Sequence, residues 1–293
     1  MKKKIKKLSI RKYDDGVAGI VVSILLVGLF ISVLVMVQTH YVPNWMVQKE
    51  AEHMEDVANQ FAQLKFAIDT QSIIGSNFNE SDIDIPPITT SITLGSKEDP
   101  MFASTRSFGL LEILKGSFSI NITNFSRVFD NHSLGLIKYS SKNAYFLDQS
   151  FVYEAGSLIT EQETGSIMSI KPPLKVEFNY IQKNLTLTLC NIDCTTGRAS
   201  VSGYGTYPVL TEFKQLSENL FYQVRYINIT TNYPNAWKLY LDNTLTSEGL
   251  RNSDDYSISN IGKKVMLEFN DKNCNINLKL VDIEVEIAPG WIE

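Results

Sequence analysis

VAGIVVSILLVGLFISVLVMV, residues 17–37, is a run of 21 residues of which 15 are Ile, Leu, Val or Phe and none is charged. At about 1.5 Å rise per residue it makes a helix roughly 30 Å long, the thickness of a bilayer core. Each Ile, Leu, Val or Phe favours insertion by about 0.3–0.6 kcal/mol. The run therefore predicts a transmembrane helix over 17–37. A buried helix of a soluble core rarely extends so far without a charge.

The flanks predict orientation. Residues 1–16 form a basic leader with Lys2, Lys3, Lys4, Lys6, Lys7, Arg11 and Lys12 against Asp14 and Asp15. Positive charge stays inside, so the leader is expected in the cytoplasm and everything after about Gln38 outside, in a single pass through the cell membrane. Of 27 basic and 32 acidic residues, the leader holds seven and two, so the rest of the chain carries 20 and 30 and a net charge of −10. Such a balance excludes nucleic acid as an expected partner, because phosphate binding needs a basic stripe. The bilayer is the partner the sequence names. A secretory signal would have a shorter apolar core and a small-residue cleavage site beyond it. Here the run is followed by Tyr41 and Trp45, which suit an interfacial aromatic belt.

The segment KYDDGVAGI, residues 12–20, resembles the class III signal of archaeal type IV pilin-like proteins: a charged leader, a small residue at the cut, and an apolar helix retained on the mature chain. That resemblance covers only the first 45 to 70 residues. It implies processing between Gly16 and Val17, and a helix that anchors the subunit or packs beside other pilin-like subunits in a filament. Val21 stands where many pilins carry Glu, and Ala18 and Gly19 where archaeal adhesion pilins often carry Ser-Pro. A plain uncleaved signal anchor is the competing reading.

From 44 to 70 the pattern becomes that of an amphipathic helix. Val47, Ala51, Met54, Ala58, Phe61, Lys65 and Ile68 recur at spacings of four and three, with Val57 and Leu64 beside them. One apolar stripe results, with Lys49, Glu50, Glu52, Glu55 and Asp56 mostly elsewhere. Pro43 is expected to kink a continuous helix or to restart it. The stripe is short for a coiled-coil stalk, so packing on a sheet is expected. Residues 71–106, where the composition turns to Ile, Thr, Ser and Asn with prolines at 86, 87 and 100, read as an irregular connector.

Residues 107–293 read as a β-rich head. Period-two alternation predicts strands at 117–123, 133–139, 145–153, 175–182, 185–189, 221–230, 264–269 and 276–287, with a hairpin turn at Lys183 and Asn184. The alternation changes parity at Leu280 and Val281, which predicts a bulge or a junction of two strands. Trp237, Leu241 and Leu245, between Pro234 and Gly249, predict one short helix. The fold class expected is α+β: a long N-terminal transmembrane and amphipathic helix, then a sandwich-like or open antiparallel head. Two small β-domains divided near residue 170 are the alternative.

Six sequons, at Asn79, Asn121, Asn124, Asn131, Asn184 and Asn228, all follow the span, consistent with glycosylation of an exposed head. Cys190 and Cys194 could close a small disulfide loop, or either could pair with Cys274. Only His40, His53 and His132 occur, so no metal site, cofactor or catalytic constellation is expected. His132 reads as a turn histidine, and Asp254 and Asp255 as a solvated pair. Asn191, Asp193, Asp271 and Asn273 could assist a Ca²⁺ ion but lack the twelve-residue loop pattern. The function expected is that of a single-span, non-enzymatic surface subunit with a structural, assembly or adhesion role. The alternative is a membrane-anchored module that binds a surface ligand or partner without forming filaments.

Overall fold

The computed structural model describes residues 11–77, 85–96, 106–126, 129–178, 182–195 and 197–288, with side chains from Ala18 onward. The fold is α+β, as the sequence predicts: one long N-terminal helix followed by a β-rich head. Helix α1 (Arg11–Met36) passes through a wider π-type turn at Val37–Tyr41 into α2 (Val42–Asn77) without a break. In that turn the Val42 N–H donates to the Val37 carbonyl, five residues back. Pro43 cannot donate to Thr39, and its ring would crowd that carbonyl in a regular turn. The wider turn just before it accommodates both, so the helix neither ends nor restarts.

The head contains β1 (Ile88–Thr93), β2 (Phe108–Asn124), β3 (Phe129–Lys142), β4 (Gln149–Glu154), β5 (Ser157–Gln162), β6 (Gly165–Ile170) and β7 (Leu174–Phe178). After these come β8 (Lys183–Asp193), β9 (Ser200–Gly203), β10 (Thr206–Phe221), β11 (Val224–Thr230), α3 (Pro234–Ser247), β12 (Tyr256–Ile261), β13 (Lys264–Phe269) and β14 (Cys274–Ile287). Five strands form one sheet in the order β1-β10-β14-β8-β7, antiparallel except for β14 beside β8. The other sheet runs β12-β13-β11-β2-β3-β4-β5-β6, with β9 added beside the start of β2. α3 packs on β12, β13 and β6, so the nine-stranded sheet curls until both of its edges meet one helix. Covering both edges in this way removes two templates for unwanted strand pairing.

Two apolar cores result. The first joins Phe118, Ile120 and Ile122 of β2, Leu185, Leu187 and Leu189 of β8, the first half of β14, and Trp237, Leu241 and Leu245 of α3. The second joins Met54, Val57, Phe61, Leu64 and Ile68 of α2 to Leu111, Ile137, Tyr139, Ile192 and the second half of β14. Both cores take residues from either side of position 170, so the head packs as one unit.

Several local expectations are corrected. The parity change at Leu280 and Val281 marks neither a bulge in β14 nor a strand junction, because β14 stays in continuous register with β8 through Leu280↔Leu189 and Val281↔Cys190. The strand instead leaves the first core and enters the second, which lies on its opposite face, so two consecutive residues are both buried. The register shift is in β10, between Phe213 and Gln215. Lys183 and Asn184 begin β8 rather than forming a turn. The 145–153 strand starts only at Gln149, and 221–230 is broken at Tyr222 and Gln223, where Gln223 has φ of 54°. α2 extends to Asn77, and β1 lies within the expected connector, paired with β10. His132 lies in β3, not in a turn.

On α2, Val47 is exposed, and the buried face is Val42, Met46, Glu50, His53, Val57, Phe61, Leu64 and Ile68. Lys65 is buried with them, its ammonium 2.7 Å from Asp69 one turn on. Gly135 sits where β3 crosses β8: a Cβ there would meet the Ile192 carbonyl oxygen, and its N–H donates to Asn191 Oδ1 at 3.0 Å. No larger residue allows the two sheets to approach so closely.

Candidate functional site

The most conspicuous surface is α1. Within the described residues, Ala18–Ser76 is the one helix long and apolar enough to cross a membrane, and the apolar window within it is wholly unburied. Ile20, Leu25, Leu29 and Phe30 are each more than 60% exposed. Its few hydroxyls are turned back onto the helix: Ser23 Oγ donates to the Gly19 carbonyl, Ser32 Oγ to that of Leu29, and Thr39 Oγ1 to that of Val35, each at 2.8 Å. A helix that satisfies its own polar groups can face hydrocarbon without leaving donors stranded. Gly16 and Val17 lie on the helical backbone of α1.

The sequon asparagines fall into distinct environments. Asn79 lies outside the described residues. Asn131 on β3, Asn121 on β2 and Asn228 on β11 are successive cross-strand partners, so three sequons distant in sequence form one row across the nine-stranded sheet. Asn131 is exposed and the other two half-buried. Asn124 ends β2 and accepts the Ser126 N–H at 2.9 Å. Asn184, on β8, accepts from Asn275 Nδ2 at 3.2 Å.

Cys190, Cys194 and Cys274 are buried and no disulfide joins them, which corrects the expected Cys190–Cys194 loop. Cys190 is in the extended strand β8, and Cys194 follows its end. At about 3.3 Å per residue, four positions along a strand separate two residues by roughly 13 Å, far beyond a disulfide's reach. Burial pushes the thiols of Cys190 and Cys274 up, so both stay protonated and unreactive.

The acidic candidates are not brought together. Asp193 pairs with Lys115 at 2.6 Å near the end of β8, whereas Asp271 pairs with the buried Lys183 at 2.7 Å near its start. Among the described residues there is no group of three or more His, Cys, Asp or Glu that could hold a metal. Asp255 is held below the usual carboxylate range: burial opposes the shift, but the Arg251 backbone and the Lys183 ammonium outweigh it. His53 is buried, with Nε2 3.2 Å from both the Leu94 carbonyl oxygen and the Tyr139 hydroxyl. Its pKa is lowered chiefly by burial, which keeps the ring neutral.

Two further features were invisible in sequence. Glu154 ends β4 fully buried, accepting from Thr231 Oγ1 and Trp237 Nε1 at 2.7 Å each. Near the outer end of α2 a cavity of about 480 Å³ opens against both sheets, its apolar wall including Ile73, Ile170, Leu216 and Val281. Lys171 and Lys279 also line it, and Ser72 Oγ lies 3.7 Å from Cys190 Sγ within it. Comparison with protein-family models, curated proteins and solved structures finds no match for this chain.

Proposed function

We propose that this chain is a single-span surface subunit of the pilin-like kind: leader in the cytoplasm, α1 in the membrane or in a filament core, β-rich head outside. The observation that supports this reading most is the continuity of the helix over residues 11–77, exposed and apolar over 18–36 and packed into the head along α2. A helix built this way transmits position from membrane to head without a flexible joint, as an assembling subunit requires. The row of Asn131, Asn121 and Asn228 supports an exterior address, where sequons can be read. No catalytic role is part of the proposal.

The mature N-terminus tests it. Mass spectrometry of the purified protein is expected to find Val17 first, and Gly16→Phe to block that processing and abolish filaments seen by electron microscopy. A mature chain that keeps its leader removes the pilin-like part and leaves a signal anchor.

A membrane-anchored binding module is the second reading, and the cavity beside α2 favours it. Its apolar wall, with Lys171 at the margin while Lys279 is paired with Glu218 and Lys65 with Asp69, suits an amphiphile bearing one carboxylate. Titration with a medium-chain carboxylate is expected to give tighter binding than the alcohol of equal length, and Ile170→Trp to abolish both. Equal, non-saturable signals for the two ligands would end that reading.

A further inference from the structure

We propose that the open edge of β10 at Gln215–Phe221 pairs with the same edge of a second copy of this chain. The pairing is antiparallel about a two-fold axis at Glu218, so two heads share one sheet while their membrane helices point in opposite directions. The inference rests on reading α1 as the span. It deepens the adhesion role by naming the partner, a copy of this chain on a facing membrane.

The first observation is the edge itself. β10 pairs with β14 from Val209 to Phe221, but on its other side β1 covers only Thr206–Thr211. Pro86 and Pro87, just before β1, have no N–H to donate, so that pairing stops at Ile88↔Thr211. Among the described residues no strand lies beside β10 on this side beyond Thr211. The register shift between Phe213 and Gln215 disturbs the strand at Lys214, and from Gln215 to Phe221 it is regular again. Natural sheet edges are commonly guarded by charged side chains. Here Glu218 is the one charged residue between Gln215 and Phe221, and Lys279 of β14 is paired with it.

The second observation is that this run is complementary to itself. In an antiparallel pair centred on Glu218, Leu216 lies opposite the partner's Leu220, Ser217 opposite the partner's Asn219, and Gln215 opposite the partner's Phe221. Leu216 and Leu220 share the sheet face of Val281 and Asn277, their partners on β14. On that face Leu216 lines the cavity beside α2, and Leu220 is 62% exposed. Pairing sets each exposed leucine against the apolar margin of the other copy's cavity, and symmetry does so twice. Two Glu218 carboxylates meet at the axis, but each brings its Lys279, so opposite charges balance there. Past Phe221 the chain turns away through Tyr222 and Gln223 into β11, before it would reach the other copy's β1.

The third observation is direction. Gln60 Nε2 donates to Thr93 Oγ1, which bonds to Thr206 Oγ1 at the start of β10. Farther along α2, Gln71 Nε2 donates to the Thr211 carbonyl, and Gly75 packs on the Phe213 ring. β10 therefore runs the same way as α2, away from the span. A two-fold axis across β10 sends the second span the opposite way, so the pair joins two membranes.

The test places one copy of the full chain in each lipid nanodisc, so that any pairing joins two discs. Mass photometry is expected to count loaded discs in pairs. Leu220→Lys, which sets an ammonium group against each Leu216, is expected to weaken the pairing roughly tenfold without moving the urea midpoint. Glu218→Cys puts a thiol on the axis and is expected to give a disulfide-linked dimer under mild oxidation, severalfold faster than Ile261→Cys at an exposed hairpin. The unsubstituted chain, whose own cysteines are buried, is the blank. Loaded discs that stay single, pairs that survive Leu220→Lys, or equal cross-linking at 218 and 261 overturn the pairing and leave the span intact. Cross-linking at 218 only in discs that hold two copies overturns the opposed arrangement. A chain that does not enter discs removes the span, and the joining of membranes with it.

Discussion

Replacing Glu154 with glutamine is expected to stabilise the folded chain by about 3 kcal/mol at pH 8 and to leave it nearly unchanged at pH 4. The carboxyl is enclosed beneath α3, and burial pushes its pKa up from 4.5 to about 7, although the hydrogen bonds from Thr231 and Trp237 act against the shift. Both bonds fall on Oε1, and Oε2 is buried with no partner among the described residues. Nearby, Glu161 accepts from the Tyr233 hydroxyl at 3.1 Å and pairs with Lys138 at 2.9 Å, so that lysine is already engaged.

Between pH 4.5 and about 7 the folded chain holds a proton on Glu154 that the unfolded chain has released. Stability therefore falls as pH rises through this window, by about 1.4 kcal/mol per unit for one group. It is fully present below the unfolded pKa and lost as pH passes the folded one. Glutamine has the same shape, accepts the same two hydrogen bonds through its oxygen, and never charges. Urea unfolding followed by tryptophan fluorescence at pH 4 and pH 8 reads the difference. Taking wild type and variant together cancels the contributions of other groups, His53 among them, whose depressed pKa acts in the opposite direction. Parallel pH profiles for the two proteins would show that Glu154 is not the group responsible.

The second large effect is expected at Glu50. Glu50→Ala removes the acceptor for three backbone N–H groups at once and is expected to cost about 4 kcal/mol, since each donor left buried costs roughly 1–3 kcal/mol and part of the loop can move to find water. Glu50→Gln should fall between, because one of its two acceptor atoms becomes a donor facing other donors. Urea midpoints give the magnitude, and amide exchange gives the location: the N–H groups of Ala144, Tyr145 and Phe146 should exchange much faster in the alanine variant. Unchanged exchange at these three amides would show that the carboxylate does not hold the loop.

Glu50 also shows why part of the molecule could not be read in advance. Helical periodicity was counted over apolar residues, and by that count Glu50 belongs with the solvated face. A carboxylate joins the buried face only because a loop 94 to 96 residues later brings three donors to it. Val47 shows the converse, an apolar residue at the right spacing that remains exposed because no part of the head reaches it. The same reasoning covers the strands that sequence missed. β1 buries only Ile92 and β10 only Val209 and Thr211, so neither shows the alternation by which a half-buried strand is recognised. β5 follows β4 through Ala155 and Gly156, both at positive φ, a turn that the surrounding apolar run conceals.

The sequence alone determined the features that depend on near neighbours: a long apolar helix at the N-terminus, its amphipathic continuation, a short helix after Pro234 and a β-rich remainder. Helix periodicity and strand alternation repeat over two to four residues, so they can be read without a partner. The rest depended on the three-dimensional arrangement: the parallel pairing of β14 with β8, the curl that brings both sheet edges to α3, the buried cysteines that form no disulfide, and the buried carboxylates Glu50 and Glu154. Each of these depends on groups far apart in the chain, and the free energy of burying a charge or pairing an edge has no value until the fold has placed its partner.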